Sequence, residues 1–162
     1  MKRKTLFLTE GAIIAALYVT ATYLSNLLGL ANGAVQLRFS EALTVLPAFS
    51  YSSVWGLFAG CIISNLVTGA AFFDVVFGSL ATLIGAFGTY YFGKNKFLAP
   101  IFPILSNTII IPFVLRFVYG APGSIFYFFL TVFLGEFLSC GVMGFFLYKA
   151  LEKNKLFKRR DV

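Results

Sequence analysis

Gly33–Pro47, GAVQLRFSEALTVLP, is the stretch whose reading decides the rest. It gathers Gln36, Arg38, Ser40, Glu41 and Thr44 between two apolar runs. Charged groups near a bilayer interior are costly, so they face a cavity, a partner or a substrate. The stretch reads as one wall and part of the lid of a small-molecule site. The flanking sequence then has to explain why such a site sits in a membrane.

Composition supplies the explanation. The chain has 162 residues, 59% of them hydrophobic and 12% charged, with a mean hydropathy of +0.89. That is too little charge to coat a soluble domain of this size. Apolar runs of about 18 residues or more recur along the whole length and argue for membrane-spanning helices. Nothing is left over for a soluble domain, so the expectation is one all-α integral membrane domain over 1–162. MKRK followed by an apolar run imitates a secretory signal, but no A-x-A-like cleavage site precedes a mature soluble sequence. The first segment therefore reads as a retained helix.

The expected helices cover about 5–28, 41–50, 54–69, 72–92, 98–119 and 124–151, with a basic tail over 152–162. The second is short for a bilayer of about 30 Å at about 1.5 Å per residue. Ser40 is the expected N-cap of that helix, and Glu41 in its first turn suits the helix dipole. Pro47 ends or kinks it, and Pro112 is an expected kink in the fifth helix. Small residues four apart, Ala12 and Ala16 with the parallel pair Gly11 and Ala15, let another helix approach closely. That helix belongs either to this chain or to another membrane protein. Gly56 and Gly60 form a further such pair.

Charge sets the orientation. Eleven of the thirteen basic residues fall in three clusters, Lys2–Lys4, Lys94 with Lys96, and Lys149–Arg160, leaving Arg38 and Arg116 apart. With six spans, all three clusters lie on the cytoplasmic side with both termini, as the positive-inside rule demands. The net charge of +7 is then topological, and no nucleic-acid partner is expected. Gln36, Arg38, Glu41, Asn65, Asp74 and Arg116 come out in the outer half, with Asn107 and Glu136 deeper. Phe39, Phe72, Phe73, Tyr119 and Tyr127 are the expected apolar walls. A few polar groups inside an aromatic lining make a ligand pocket.

Each polar group also has a plain structural role open to it. Arg38 and Glu41 can pair with each other, Arg116 can pair with Asp74 or reach headgroups, and Asp74 can cap its helix. Asn65 and Asn107 can bond neighbouring helices. A carboxylate as deep as Glu136 has no cheap structural excuse. Ionised acids only accept hydrogen bonds whereas amides also donate, so the set suits a ligand rich in N–H groups, stacked on aromatic rings.

No bond-breaking constellation is present: no Walker loop, no G-x-S-x-G, no H-E-x-x-H and no histidine at all. Cys61 and Cys140 are isolated and read as free apolar thiols. No catalytic residue, metal or cofactor is expected. Transport or binding is the better reading, with an intramembrane enzyme using paired carboxylates, or a self-contained carrier, as alternatives.

The runs VQLRFSEALTVLPAF (35–49), DVVFGSLATL (74–83) and GEFLSC (135–140), with TEGAIIAALYV near the start, resemble the QueT-type queuosine-precursor transporters. These are substrate-binding (S) subunits of energy-coupling-factor (ECF) transporters. The resemblance covers essentially the whole chain and implies a six-helix S-component bundle in the bacterial plasma membrane. It implies capture of a 7-deazaguanine precursor from outside. It also implies docking on a transmembrane coupling protein with two cytosolic ATPases, through the Ala-x-x-x-Ala face at Ala12 and Ala16. The matching motif positions are Gln36, Arg38, Glu41, Asp74 and Glu136, with Asn65 and Asn107 carried beside them; Arg116 matches none. Another heterocycle or vitamin is the alternative cargo.

Overall fold

The computed structural model describes residues 2–31 and 35–153. Gly33 and Ala34, and the basic tail from 154 onward, lie outside the described residues. Helix α1 (Lys2–Leu27) is followed by a 3-10 helix (Phe39–Ala48), α2 (Ser52–Val67), α3 (Phe72–Phe92), α4 (Ile101–Phe117) and α5 (Ile125–Glu136). A π-helical segment (Phe137–Met143) joins α5 without a break to α6 (Gly144–Lys153). The described residues are all-helical, with no strand among them.

Among the described residues, three continuous helices are long and apolar enough to cross a membrane: α1, α3 and the Ile125–Lys153 rod. α2 and α4 are shorter, at 16 and 17 residues, or about 25 Å each. Their outward side chains are nonetheless large and apolar, among them Trp55, Ile63, Ile109 and Phe113. Such a surface suits lipid rather than water.

The second expected helix is the largest departure. It is a 3-10 helix rather than an α-helix, and it is buried along most of its length from Ser40 to Ala48. Ser40 is not its cap. Arg38, in extended conformation, precedes the first turn, and the Ser40 hydroxyl is buried without a hydrogen-bond partner. The cause lies in α1: Ser25 Oγ takes the Phe39 N–H at 2.8 Å, which starts the helix two residues earlier.

Helix α1 packs on α2 through small residues. A Cβ on Gly56 would stand 2.6 Å from the Gly11 carbonyl oxygen, and one on Gly60 would stand 3.0 Å from that of Ala15. Both small-residue pairs are thus consumed against each other, Gly11/Ala15 by Gly56/Gly60. Ala12 and Ala16 remain exposed on the adjacent edge, beside Leu8, Ile13 and Leu17. Behind the contact lies the core of Ile14, Tyr18, Leu46, Val54, Leu57 and Cys61.

Ring contacts define one end of the bundle. Phe7 meets Tyr51, Tyr51 meets Tyr90, Phe49 meets Tyr148 and Phe97 meets Phe145. This end carries the start of α1, the Lys94–Lys96 turn and the close of α6, so the described parts of the three basic clusters gather there. The opposite end holds residues 22–31 and 35–38 and the α2–α3 and α4–α5 turns.

Candidate functional site

Residues 36–38 thread between α1 and the α5–π segment rod, and the backbone donors of Leu37 and Arg38 are captured. Leu37 N–H goes to the Leu30 carbonyl at 2.9 Å, and Arg38 N–H goes to Ser139 Oγ at 3.1 Å. Buried backbone donors need such partners, so the path is fixed. The thread passes so close to α5 that any side chain at Gly135 would collide with the Gln36 carbonyl. Ser139 comes from the π segment, whose wider turn points it at the thread; π turns of this kind recur at functional sites.

Two chambers meet at this thread. The inner one, about 50 Å³, is lined by Gln36, Arg38, Glu41, Cys61, Thr82, Asn107, Thr131, Glu136 and Ser139, among others. The outer one, about 380 Å³, is lined by Thr22, Asn26, Gln36, Arg38, Asn65, Thr68, Asp74 and Tyr119, among others. Gln36, Arg38, Ile111 and Leu115 belong to both and form the partition. Both chambers lie toward the end away from the basic clusters.

The hydrogen bonds resolve the alternatives left by the sequence. Glu41 does not rely on Arg38: its Oε1 accepts from the buried Tyr18 hydroxyl at 2.6 Å, and its Oε2 has no hydrogen-bond partner. Arg38 Nη2 instead reaches Gln36 Oε1 at 3.5 Å. Asp74 neither caps α3 nor holds Arg116, since Oδ2 accepts from the Tyr119 hydroxyl at 2.9 Å. Arg116 donates to the Gly123 carbonyl at 3.2 Å and lines neither chamber.

Asn65 Nδ2 and Asp74 Oδ1 border the space a Gly78 side chain would occupy, at 3.3 and 3.6 Å, so this glycine keeps room between α2 and α3. Asn107 lies within hydrogen-bonding reach of Glu136 across α4 and α5, while Glu136 Oε2 is buried and unpartnered. Burial, with the Asp74 carboxylate beside it, pushes the Tyr119 phenol above its ordinary value, so it remains a donor.

Seven of the expected residues thus line the chambers: Gln36, Arg38, Glu41, Asn65, Asp74, Asn107 and Glu136. Four of the five expected aromatic walls do not. Phe72 is 73% exposed with its ring against Phe73, because it opens α3 on the outward face. Phe39 is half-buried, outside both chambers, with its backbone tied to Ser25. Phe73 and Tyr127 are also exposed, and of the proposed rings Tyr119 alone faces a chamber. Ile111, Leu115 and Val132 supply the apolar lining instead.

Sequence reasoning passed over Tyr18, Cys61, Thr82, Thr131 and Ser139. The signal was present for Tyr18, three residues beyond Ala15 on the packed edge of α1, since a buried tyrosine needs a partner for its hydroxyl. The charged lining amounts to one cation, Arg38, against three acids, Glu41, Asp74 and Glu136. Among these charged groups acidic acceptors outnumber the single cation.

Comparison with known proteins gives the family. The model of the family described as QueT transporter matches residues 8–153. The chain is similar to the protein named queuosine precursor transporter QueT of Lactococcus lactis subsp. cremoris (strain MG1363). They are 31% identical over 176 aligned positions, covering 99% of this chain and 98% of that one. No solved structure matches. The chain belongs to the QueT transporter family, a family of transporters and not of enzymes. A small-molecule cargo and a multi-pass membrane setting follow from that membership and from the apolar helices.

Proposed function

We propose that this protein is the substrate-binding subunit of an ECF-type importer that captures a 7-deazaguanine precursor of queuosine, the aminomethyl or the cyano compound, from outside the cell. The observation that carries the reading is the convergence of Glu41, Asp74 and Glu136 with Gln36, Arg38, Asn65 and Asn107 on two adjoining chambers. A deazaguanine offers adjacent N–H donors that a carboxylate accepts side by side, and amides complete the edge by both giving and accepting.

In this reading the chain is one transmembrane domain of six spans in the bacterial plasma membrane, with the 3-10 helix as the short one. Both termini are cytoplasmic, because the basic clusters follow the positive-inside rule. The chambers then open outward. Ala12 and Ala16 form the docking edge for the coupling protein that carries two cytosolic ATPases. What supports this is their exposure, next to a small-residue pair already spent on α2.

The test is binding by the purified full-length chain. A deazaguanine should bind tightly and Glu136→Gln or Glu41→Gln should weaken it; unchanged affinity in both removes these acids from the site. Uptake in vesicles lacking any ATPase would exclude the subunit role.

A further inference from the structure

Between α4 and the rod lies a groove that takes no part in either chamber. Phe133, Phe137, Gly141 and Phe145 recur every four residues along the rod and face Ile101, Ile104 and Leu105 at the start of α4. Residues so spaced share one side of a helix. Glu136 and Ser139, on the same rod, turn to the inner chamber instead. The groove encloses about 460 Å³, more than the outer chamber. We propose that it seats an acyl chain of one anionic phospholipid from the leaflet at the basic end, with Lys96 holding the phosphate.

Shape is the first argument. From Phe133 to Phe145 the rod runs about 18 Å, against about 15 Å for half the hydrocarbon core. The groove thus has the depth of one leaflet, measured inward from the Lys94–Lys96 turn. Pro100 and Ile104 are buried at its floor, while Ile101, Leu105 and Phe137 are exposed along its sides. Gly141 keeps it open. A Cβ there would stand 3.4 Å from Phe137 Cδ2 and 3.5 Å from Ile104 Cδ1, so alanine fits and a longer side chain enters the groove.

Charge is the second argument, and it selects the occupant. Lys96 is the one charged group among the lining residues, and the others are apolar. It is half-buried, with its ammonium 5.6 Å from the ring centroids of both Phe97 and Phe145, within cation–π range. Those rings stand 5.5 Å apart and clasp the lysine at the groove mouth. No carboxylate among the described residues pairs with it. An ammonium carries three donors, so the two ring faces leave it able to bind a phosphate. Exposed Lys94, two residues earlier, adds to the local field. Basic groups at a membrane surface attract anionic headgroups. A helix from a second copy would fill the apolar part but bury the lysine unpaired, which is costly.

The experiment is native mass spectrometry of the detergent-purified full-length chain, titrated with phosphatidylglycerol and with phosphatidylcholine of identical acyl chains. One phosphatidylglycerol should be retained about fivefold more tightly, the effect of about one lysine beside an anionic headgroup. Lys96→Gln should erase that preference while both lipids still bind. Gly141→Leu should weaken both about tenfold or more, as loss of about two buried methylenes implies, and Gly141→Ala should match the parent. Lys96→Gln decides by itself should the leucine variant fail to fold. Equal retention of the two lipids by the parent, or a preference that survives Lys96→Gln, overturns the proposal. A dimer that Gly141→Leu dissolves also overturns it and gives the groove to a second copy. No deazaguanine enters the assay, so each result is independent of the cargo reading.

Discussion

Tyr18 Oη donates to Glu41 Oε1 at 2.6 Å, joining α1 to the 3-10 helix inside the core. The bond fixes which oxygen of Glu41 is spent on the fold and which is left for the chamber. Tyr18→Phe deletes the donor and leaves a buried carboxylate with neither oxygen satisfied. Hydrogen bonds to charged groups contribute about 1.5–3 kcal/mol. The variant should lose stability of that order, visible as a lower unfolding midpoint in detergent, and bind substrate more weakly. A midpoint and affinity equal to the parent's would show the bond to be incidental.

The small-residue contact between α1 and α2 predicts an asymmetry along one helix. Gly56→Ala drives a methyl against the Gly11 carbonyl, 2.6 Å away. Overpacking of this kind costs about 1–3 kcal/mol, and purified Gly56→Ala should melt earlier. Ala12→Leu and Ala16→Leu, on the exposed edge, should leave melting and substrate binding alone while abolishing assembly with the coupling protein and uptake. Early melting of the alanine variants would reassign that edge to the fold.

Gly135→Ala tests the thread directly. Its new methyl meets the Gln36 carbonyl, so residues 36–38 must shift and the partition between the chambers with them. The expected result is a helical, monodisperse protein with binding reduced about tenfold or more, the effect of losing about one well-placed charged contact. Parent-like affinity would show that the thread has slack.

Alkaline pH reads the outer chamber. The Tyr119 phenol is pushed up by burial and by the neighbouring Asp74. A group whose folded pKa is raised contributes stability that is fully present below its unfolded value, near pH 10, and is lost as pH rises through the folded value. Melting curves should therefore show a small loss of stability above about pH 10 that is absent in Tyr119→Phe. Because Tyr119 is half exposed, solvent screening keeps the effect modest. An identical alkaline limb in both proteins would assign the loss elsewhere.

The helices from α3 onward were legible because long apolar runs bounded by Gly, Pro and lysines leave few alternatives; the 72–92 boundaries coincide with α3. That these polar residues would face internal chambers was legible for a related reason, since an acid or amide in such a chain has few places to go. What the sequence did not disclose were features set by long-range partners. The 3-10 geometry of 39–48 depends on Ser25 and Tyr18, both on α1. The aromatic lining failed because phenylalanine is as stable against lipid as inside the protein, so an abundance of 21 such residues does not reveal which face inward. Phe72 and Phe39 fall to that ambiguity. The π segment at 137–143 carries no proline or charge to announce it.

That segment has an evolutionary consequence. A π turn accommodates more residues than an α turn, so loss of a single codon between 137 and 143 would let the rod revert to regular winding. The residues beyond would keep their facing, with Tyr148 still seated against Phe49, while Ser139 would lose the wider turn that holds it beside the Arg38 N–H. A one-residue deletion is thus absorbed here, whereas the same deletion in the regular turns of α6 would rotate all that follows by about 100°.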